Sequence, residues 1–142
     1  MTISQRPPTL IGWRLLALLY DFFPVLALWF VAAGVFTLLH GDGVRGGWLG
    51  ALEFAVFWGI AGLYATRSWQ RGGQTIGMRA WRLQVTDATG QPANLRALWR
   101  RYAIASVSLL CGGLGFCWAW LDRDGLTWHD RASGLRVRRV PP

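Results

Sequence analysis

Three long apolar stretches alternate with arginine-rich polar ones along this chain. The stretches 15–39, 48–66 and 102–121 hold only two charged residues between them, Asp21 and Glu53. As helices, the first would be about 37 Å long and the second about 28 Å. Both lengths suit a hydrocarbon core of roughly 30 Å. A signal peptide is the competing reading of the first stretch, because Arg6 and Arg14 lie at its start and Ala32-Ala33-Gly34 offers small residues. A signal's apolar region runs only about 7–15 residues and does not welcome an acid, so this stretch reads as a retained span. The third stretch is long enough to cross once. Its Gly112-Gly113-Leu114-Gly115 can instead break it into two arms of about 13 Å each. A re-entrant hairpin of that kind requires protein around its exposed backbone.

The polar segments carry their own patterns. A leader over 1–13 contains Pro7, Pro8 and Thr9, and 40–47 forms a short glycine-rich turn. In the connection 67–101, the run Trp81-Arg82-Leu83-Gln84-Val85-Thr86 alternates apolar and polar before the turn-rich Asp87-Ala88-Thr89-Gly90-Gln91-Pro92. That predicts a short strand and a turn. Asn94 predicts an N-cap, with Leu95, Leu98, Trp99 and Tyr102 on one helix face and Arg96, Arg100 and Arg101 on the other. A second alternating run over 135–140 predicts another short strand. Trp13, Trp48, Trp69, Trp99 and Trp118 fall near the ends of the apolar runs, where aromatics anchor helices. Gly46 and Gly50, spaced as GxxxG, together with Gly59 and Gly62, allow close helix contact.

The expected fold is an all-α membrane protein of one domain, 1–142. It has two transmembrane helices, a third glycine-broken segment that is a re-entrant hairpin or a third span, and a polar tail over 122–142. A small two-stranded β element is expected on the cytoplasmic side.

Composition sharpens this picture. Of 142 residues, 53% are hydrophobic and 15% charged, against about 25% charged in ordinary soluble proteins. The segregation excludes a soluble enzyme, a disordered tail or a disulfide scaffold. The net charge of +8 comes from 15 basic residues, all of them Arg. Arginine clusters beside apolar spans read as topology determinants and contacts to anionic lipid headgroups rather than to nucleic acid. If 102–121 re-enters, 14 arginines lie on the cytoplasmic side and one outside; if it crosses, the split is nine to six. The positive-inside bias favours the hairpin, which puts both termini and 67–101 in the cytoplasm. Cys111 and Cys117, six residues apart, point to different helix faces, so neither a disulfide nor a metal pair is expected.

Four charged residues carry the candidate chemistry. Asp21 follows Arg14 by seven residues, on the same helix face and about 10 Å further along the axis. A carboxylate in mid-span costs about 2.5–3.5 kcal/mol, so Asp21 is either a proton or cation ligand or a hydrogen-bonded packing acid. Glu53 enters the second span from the opposite leaflet, roughly 12 Å from Asp21 in depth. The two can be steps on one path but not one carboxylate pair, and snorkelling to the interface is the plainer reading of Glu53. Asp122-Arg123-Asp124-Gly125 begins like a calcium loop without its remaining ligands. His129 beside Asp130 has neither a nucleophile nor a second His at metal spacing. Gly72-Gly73-Gln74-Thr75-Ile76-Gly77 lacks the Lys-Ser/Thr of a phosphate loop. No enzymatic activity, cofactor or metal is expected.

In order and spacing these residues resemble the RDD family of small bacterial membrane proteins, named for one arginine and two aspartates. The resemblance rests on Arg14 and Asp21 in the first span, on 73–79 and 83–90 in the connection, on Arg100-Arg101, and on His129-Asp130-Arg131 followed by Gly134 and 135–137. It covers roughly 10–140, and departs from the family in Ser133-Gly134-Leu135, where a Gly-Thr pair is usual, and in the short third segment. The resemblance makes Asp130 the second aspartate. It implies a multi-pass protein of the bacterial cytoplasmic (inner) membrane and transport of a small ion or solute, some members looking like sodium/proton antiporters. One chain encloses little, so a transport path implies a homo-oligomer. The leading expectation is transport or cation/proton exchange, with Asp21 as titratable ligand, Arg14 as its electrostatic tuner and Asp130 as partner of Arg14. The alternative is a non-transporting membrane scaffold or accessory subunit, in which the same set is an internal salt bridge.

Overall fold

A computed structural model describes residues 9–41 and 46–141. The Pro7-Pro8 part of the leader and the middle of the glycine-rich turn lie outside the described residues. Helices α1 (Ile11–His40) and α2 (Gly47–Gly72) are both long and apolar enough to cross a membrane. Each outruns its apolar stretch, α1 at its start and α2 at its end. Helix α2 stops where Gly73 takes φ 71° and its N–H bonds the Trp69 carbonyl at 2.7 Å, a conformation that glycine adopts without a Cβ penalty.

The third apolar stretch is broken. Helix α4 (Leu95–Leu110) and helix α5 (Leu114–Leu121) meet at an angle of 99°. Gly112 and Gly113 turn the corner at φ 68° and 80°. Gly115 has a different role, inside α5: a Cβ there would sit 2.7 Å from Ser108 Cβ and 2.9 Å from the Trp128 ring. The absence of that Cβ lets α5 fold against α4. Helix α4 begins where expected, with Asn94 Oδ1 accepting from the Ala97 N–H at 2.8 Å.

Two strands, β1 (Leu83–Asp87) and β2 (Leu135–Arg139), pair antiparallel from Leu83↔Arg139 to Asp87↔Leu135. The first strand starts two residues later than its alternation predicts. Trp81 and Arg82 instead form a tight turn, with Arg82 at φ 56°. This turn closes a five-residue helix not anticipated from the sequence, α3 (Ile76–Ala80). A second short helix, α6 (Trp128–Ser133), precedes β2 and was equally unforeseen. Because β1 and β2 flank the α4–α5 pair in sequence and bond to each other, the chain that leaves through α4 returns to the same end of the molecule.

That end holds the core. Ala17, Met78, Leu83, Val85, Ala93, Leu98 and Leu135 are buried together, ringed by Trp13, Trp69, Trp81 and Val137. Trp13 and Trp69 are therefore packing residues as well as flanking aromatics. Along the rest of α1 and α2, large apolar side chains such as Phe30, Val31, Leu38 and Phe54 are exposed, as lipid-facing side chains are. The helices touch through specific bonds: Trp29 Nε1 donates to the Phe57 carbonyl at 2.8 Å, and Tyr102 Oη donates to the Trp58 carbonyl at 2.8 Å. Among the glycines considered for close contact, Gly62 makes one, since a Cβ there would lie 2.5 Å from the Trp99 ring. Gly46 and Gly59 face open space.

Candidate functional site

Two carboxylates organise the polar end, each from a different helix. Asp130 occupies the third position of α6, where Thr127 caps the helix: Thr127 Oγ1 accepts from the Asp130 N–H at 3.3 Å, and Asp130 Oδ2 accepts from the Thr127 N–H at 3.4 Å. This reciprocal cap fixes the carboxylate's direction. Arg14 Nη1 of α1 then donates to Oδ2 at 2.6 Å and Arg101 Nη1 of α4 to Oδ1. All three side chains are buried. Burial alone would raise the Asp130 pKa, but Arg101 and then Arg14 outweigh it and hold the carboxyl below the usual carboxylate range. The guanidinium of Arg101 also lies over the Trp69 ring, 5.3 Å from its centroid, where the ring's quadrupole attracts it.

His129, next in sequence, packs its ring against Phe116 with centroids 4.7 Å apart. Its Nε2 is 4.0 Å from Asp130 Oδ1. Burial first, and then Arg101, push its pKa down to about 3, so the ring is neutral at physiological pH. The buried set therefore holds two cations and one anion. Among the described residues, Arg14 Nε and Arg101 Nε have no hydrogen-bond partner.

Asp21 anchors the second cluster. Its Oδ1 accepts from Tyr64 Oη at 2.7 Å and from the Gly77 N–H at 2.8 Å, and its Oδ2 accepts from Thr75 Oγ1 at 2.5 Å. Both hydroxyls are oriented from behind by backbone N–H groups. Ile76 donates to Tyr64 Oη at 3.3 Å, and Met78 donates to Thr75 Oγ1 at 3.2 Å. Gly77 makes this approach possible, because a Cβ there would collide with the Ala17 carbonyl oxygen. The run 72–77 is thus a carboxylate-binding turn rather than a phosphate loop.

The four sequence-derived candidates part company. Arg14 and Asp130 are brought together as one ion pair. Asp21 shares a helix with Arg14 but takes different partners, and among the described residues no ion pair joins the two. Glu53 lies half-buried on α2, away from either cluster. Arg101, Thr75, Tyr64 and Gly77 had been given no role. For Arg101 a signal existed: like Arg14, it stands at the boundary of an apolar run, three residues from the buried Leu98. Asp122 accepts from the Leu126 N–H at 2.9 Å and pairs with Arg131, closing a turn. Among the described residues, no three or more His, Cys, Asp or Glu come together as metal ligands would. Cys111 and Cys117 are free thiols.

The RDD family profile matches residues 8–134. Neither the curated proteins nor the solved structures contain a match. With its two span-length apolar helices and a family match over nearly its whole length, this chain is an integral membrane protein that belongs to the RDD family.

Proposed function

We propose that this protein is a membrane scaffold or accessory subunit, whose arginine and two aspartates build a polar cap on the membrane surface. One observation carries the reading: each aspartate has both oxygens occupied by donors from other elements. Asp21 ties α1 to α2 and to the turn and short helix at α3, while Asp130 ties α6 to α1 and α4. A carboxylate with each oxygen held by intramolecular donors is built to hold helices together.

Depth supports the same conclusion. The cap engages α1 as far as Asp21, which leaves 22–40 to cross the bilayer, about 28 Å of helix. In α2, 47–63 remains below Tyr64, about 26 Å. Asp21 then stands at the membrane face, where a carboxylate costs less than at the centre. The surplus of arginines in 67–101 and 122–142 supports a cytoplasmic cap on a bacterial inner membrane protein, facing anionic headgroups.

Transport or cation/proton exchange is the second reading, and one feature favours it. The three donors to Asp21 are uncharged, so this carboxylate has no cationic partner among the described residues. In this reading the path is completed by a homo-oligomer. Flux in proteoliposomes across a panel of cations, measured beside thermal stability, separates the two. The scaffold reading expects flux no higher than in empty vesicles, with Asp21→Asn lowering stability. Wild-type flux that Asp21→Asn abolishes at unchanged stability would overturn it in favour of exchange.

A further inference from the structure

A cleft of about 270 Å³ opens beside Tyr64, lined by Arg67, Ser68, Arg71, Gln74, Ile76 and Arg79. Helical spacing explains half of it: Tyr64, Arg67, Ser68 and Arg71 share one face of α2. The turn at Gly73 then brings Arg79 of α3 opposite that face. Among the described residues no carboxylate pairs with any of the three arginines. Asp21, which accepts from Tyr64, has its oxygens already engaged. Two arginines at i and i+4 repel, and a third from a neighbouring helix adds to that repulsion.

The backbone around the cleft is fixed in advance. Gly73's carbonyl accepts from the Val85 N–H at 2.7 Å, and Gln74 Nε2 donates to the Leu83 carbonyl at 2.8 Å. Asp21 holds α3 from the other side. The cleft also has an exposed aliphatic side chain in its lining, Ile76, and Leu63, one turn before Arg67 on α2, is exposed as well. Three convergent guanidiniums match phosphate oxygens, which Arg binds with paired N–H donors. The exposed Ile76 and Leu63 nearby offer apolar contact to the start of an acyl chain.

We infer that this cleft binds the phosphate of an anionic membrane lipid. The inference rests on the cap lying at the membrane surface, not on the choice between scaffold and exchange. The test uses full-length protein in uncharged detergent, with lipid retention read by native mass spectrometry and thermal stability read beside it. Phosphatidylglycerol should be retained and should stabilise the protein, whereas phosphatidylcholine should not. Combining Arg67→Gln, Arg71→Gln and Arg79→Gln should lower retention at least tenfold. The exposed pair Arg136→Gln and Arg138→Gln on β2 should leave it unchanged. If the triple variant does not fold, Arg67→Gln, Arg71→Gln and Arg79→Gln tested singly should each lower retention about threefold. Equal loss in the β2 variant would show diffuse charge attraction and overturn the site. Equal retention of phosphatidylcholine, whose phosphate is neutralised by its own choline, would overturn the assignment to an anionic lipid. Stabilisation by inorganic phosphate alone, lost in the triple variant, would assign the cleft to free phosphate and overturn the lipid assignment. Flux measurements do not enter, so failure here is distinct from failure of the scaffold reading.

Discussion

Substituting Asp130 by Asn removes the anion that pairs with both Arg14 and Arg101 while keeping the side chain's size. Two buried guanidiniums then face each other with no carboxylate between them. Breaking a buried pair in this way typically costs about 3–5 kcal/mol. Removing Arg14 instead leaves Asp130 with Arg101, a neutral pair, so Arg14→Gln should cost about 1–3 kcal/mol, the loss of charged hydrogen bonds. The double variant carries the sharper prediction. Two like unit charges repel by about 4 kcal/mol at about 4 Å and an effective dielectric near 20, and by proportionally less further apart. Adding Arg14→Gln to Asp130→Asn relieves that repulsion. The double variant should therefore be more stable than Asp130→Asn alone, with a coupling of at least about 1 kcal/mol. Thermal unfolding in detergent, followed by intrinsic tryptophan fluorescence, reads all four proteins of the cycle. Additive losses, leaving the double variant the least stable of the four, would refute the reasoning that Asp130 neutralises two mutually repelling arginines.

Other expectations follow from single contacts. His129 titrates near 6.5 when unfolded and is held neutral down to about pH 3 when folded. The unfolded chain thus binds the extra proton, and stability should fall as pH drops from 6.5 towards 3, by up to about 1.4 kcal/mol per pH unit; His129→Leu should flatten that slope in pH-dependent melts. Asp130, with its lowered pKa, adds stability that is complete above the unfolded carboxyl value near 4 and is lost only below it. Gly77→Ala should cost about 1–3 kcal/mol in thermal unfolding by pushing α3 off the Ala17 carbonyl. Gly62→Ala, against the Trp99 ring, should destabilise similarly, while Gly59→Ala, facing open space, should be neutral or stabilising by up to about 1 kcal/mol.

The features readable in sequence were those written locally. Apolar length gave α1 and α2, Asn94 marked the start of α4, Gly112-Gly113 marked the break, and alternation located both strands. The features missed depend on distant partners. Helices α3 and α6, five and six residues long, are too short to form alone. They exist because Thr75 and Thr127 cap them and because Asp21 and Arg14 hold them from α1. Arg101 sits on what helical spacing reads as the polar face of α4, and only the return of α6 buries it. The donors to Asp21 come from 43 to 56 residues away, beyond any local pattern. The arginine-to-aspartate spacing in α1 suggested one site, yet the two side chains engage different elements.

We place the polar cap built around Asp21 and Asp130 on the cytoplasmic side, with the α4–α5 pair leaving it and returning. Single cysteines replacing Arg136 on β2 and His40 at the far end of α1, in a background with Cys111→Ser and Cys117→Ser, test this directly. Intact cells are treated with a membrane-impermeant thiol reagent, and permeabilised cells serve as the control for reactivity. Labelling of His40→Cys in intact cells, with Arg136→Cys labelled only after permeabilisation, is the predicted result. Labelling of both positions in intact cells would place β2 outside, separate it from β1 across the membrane, and contradict the account.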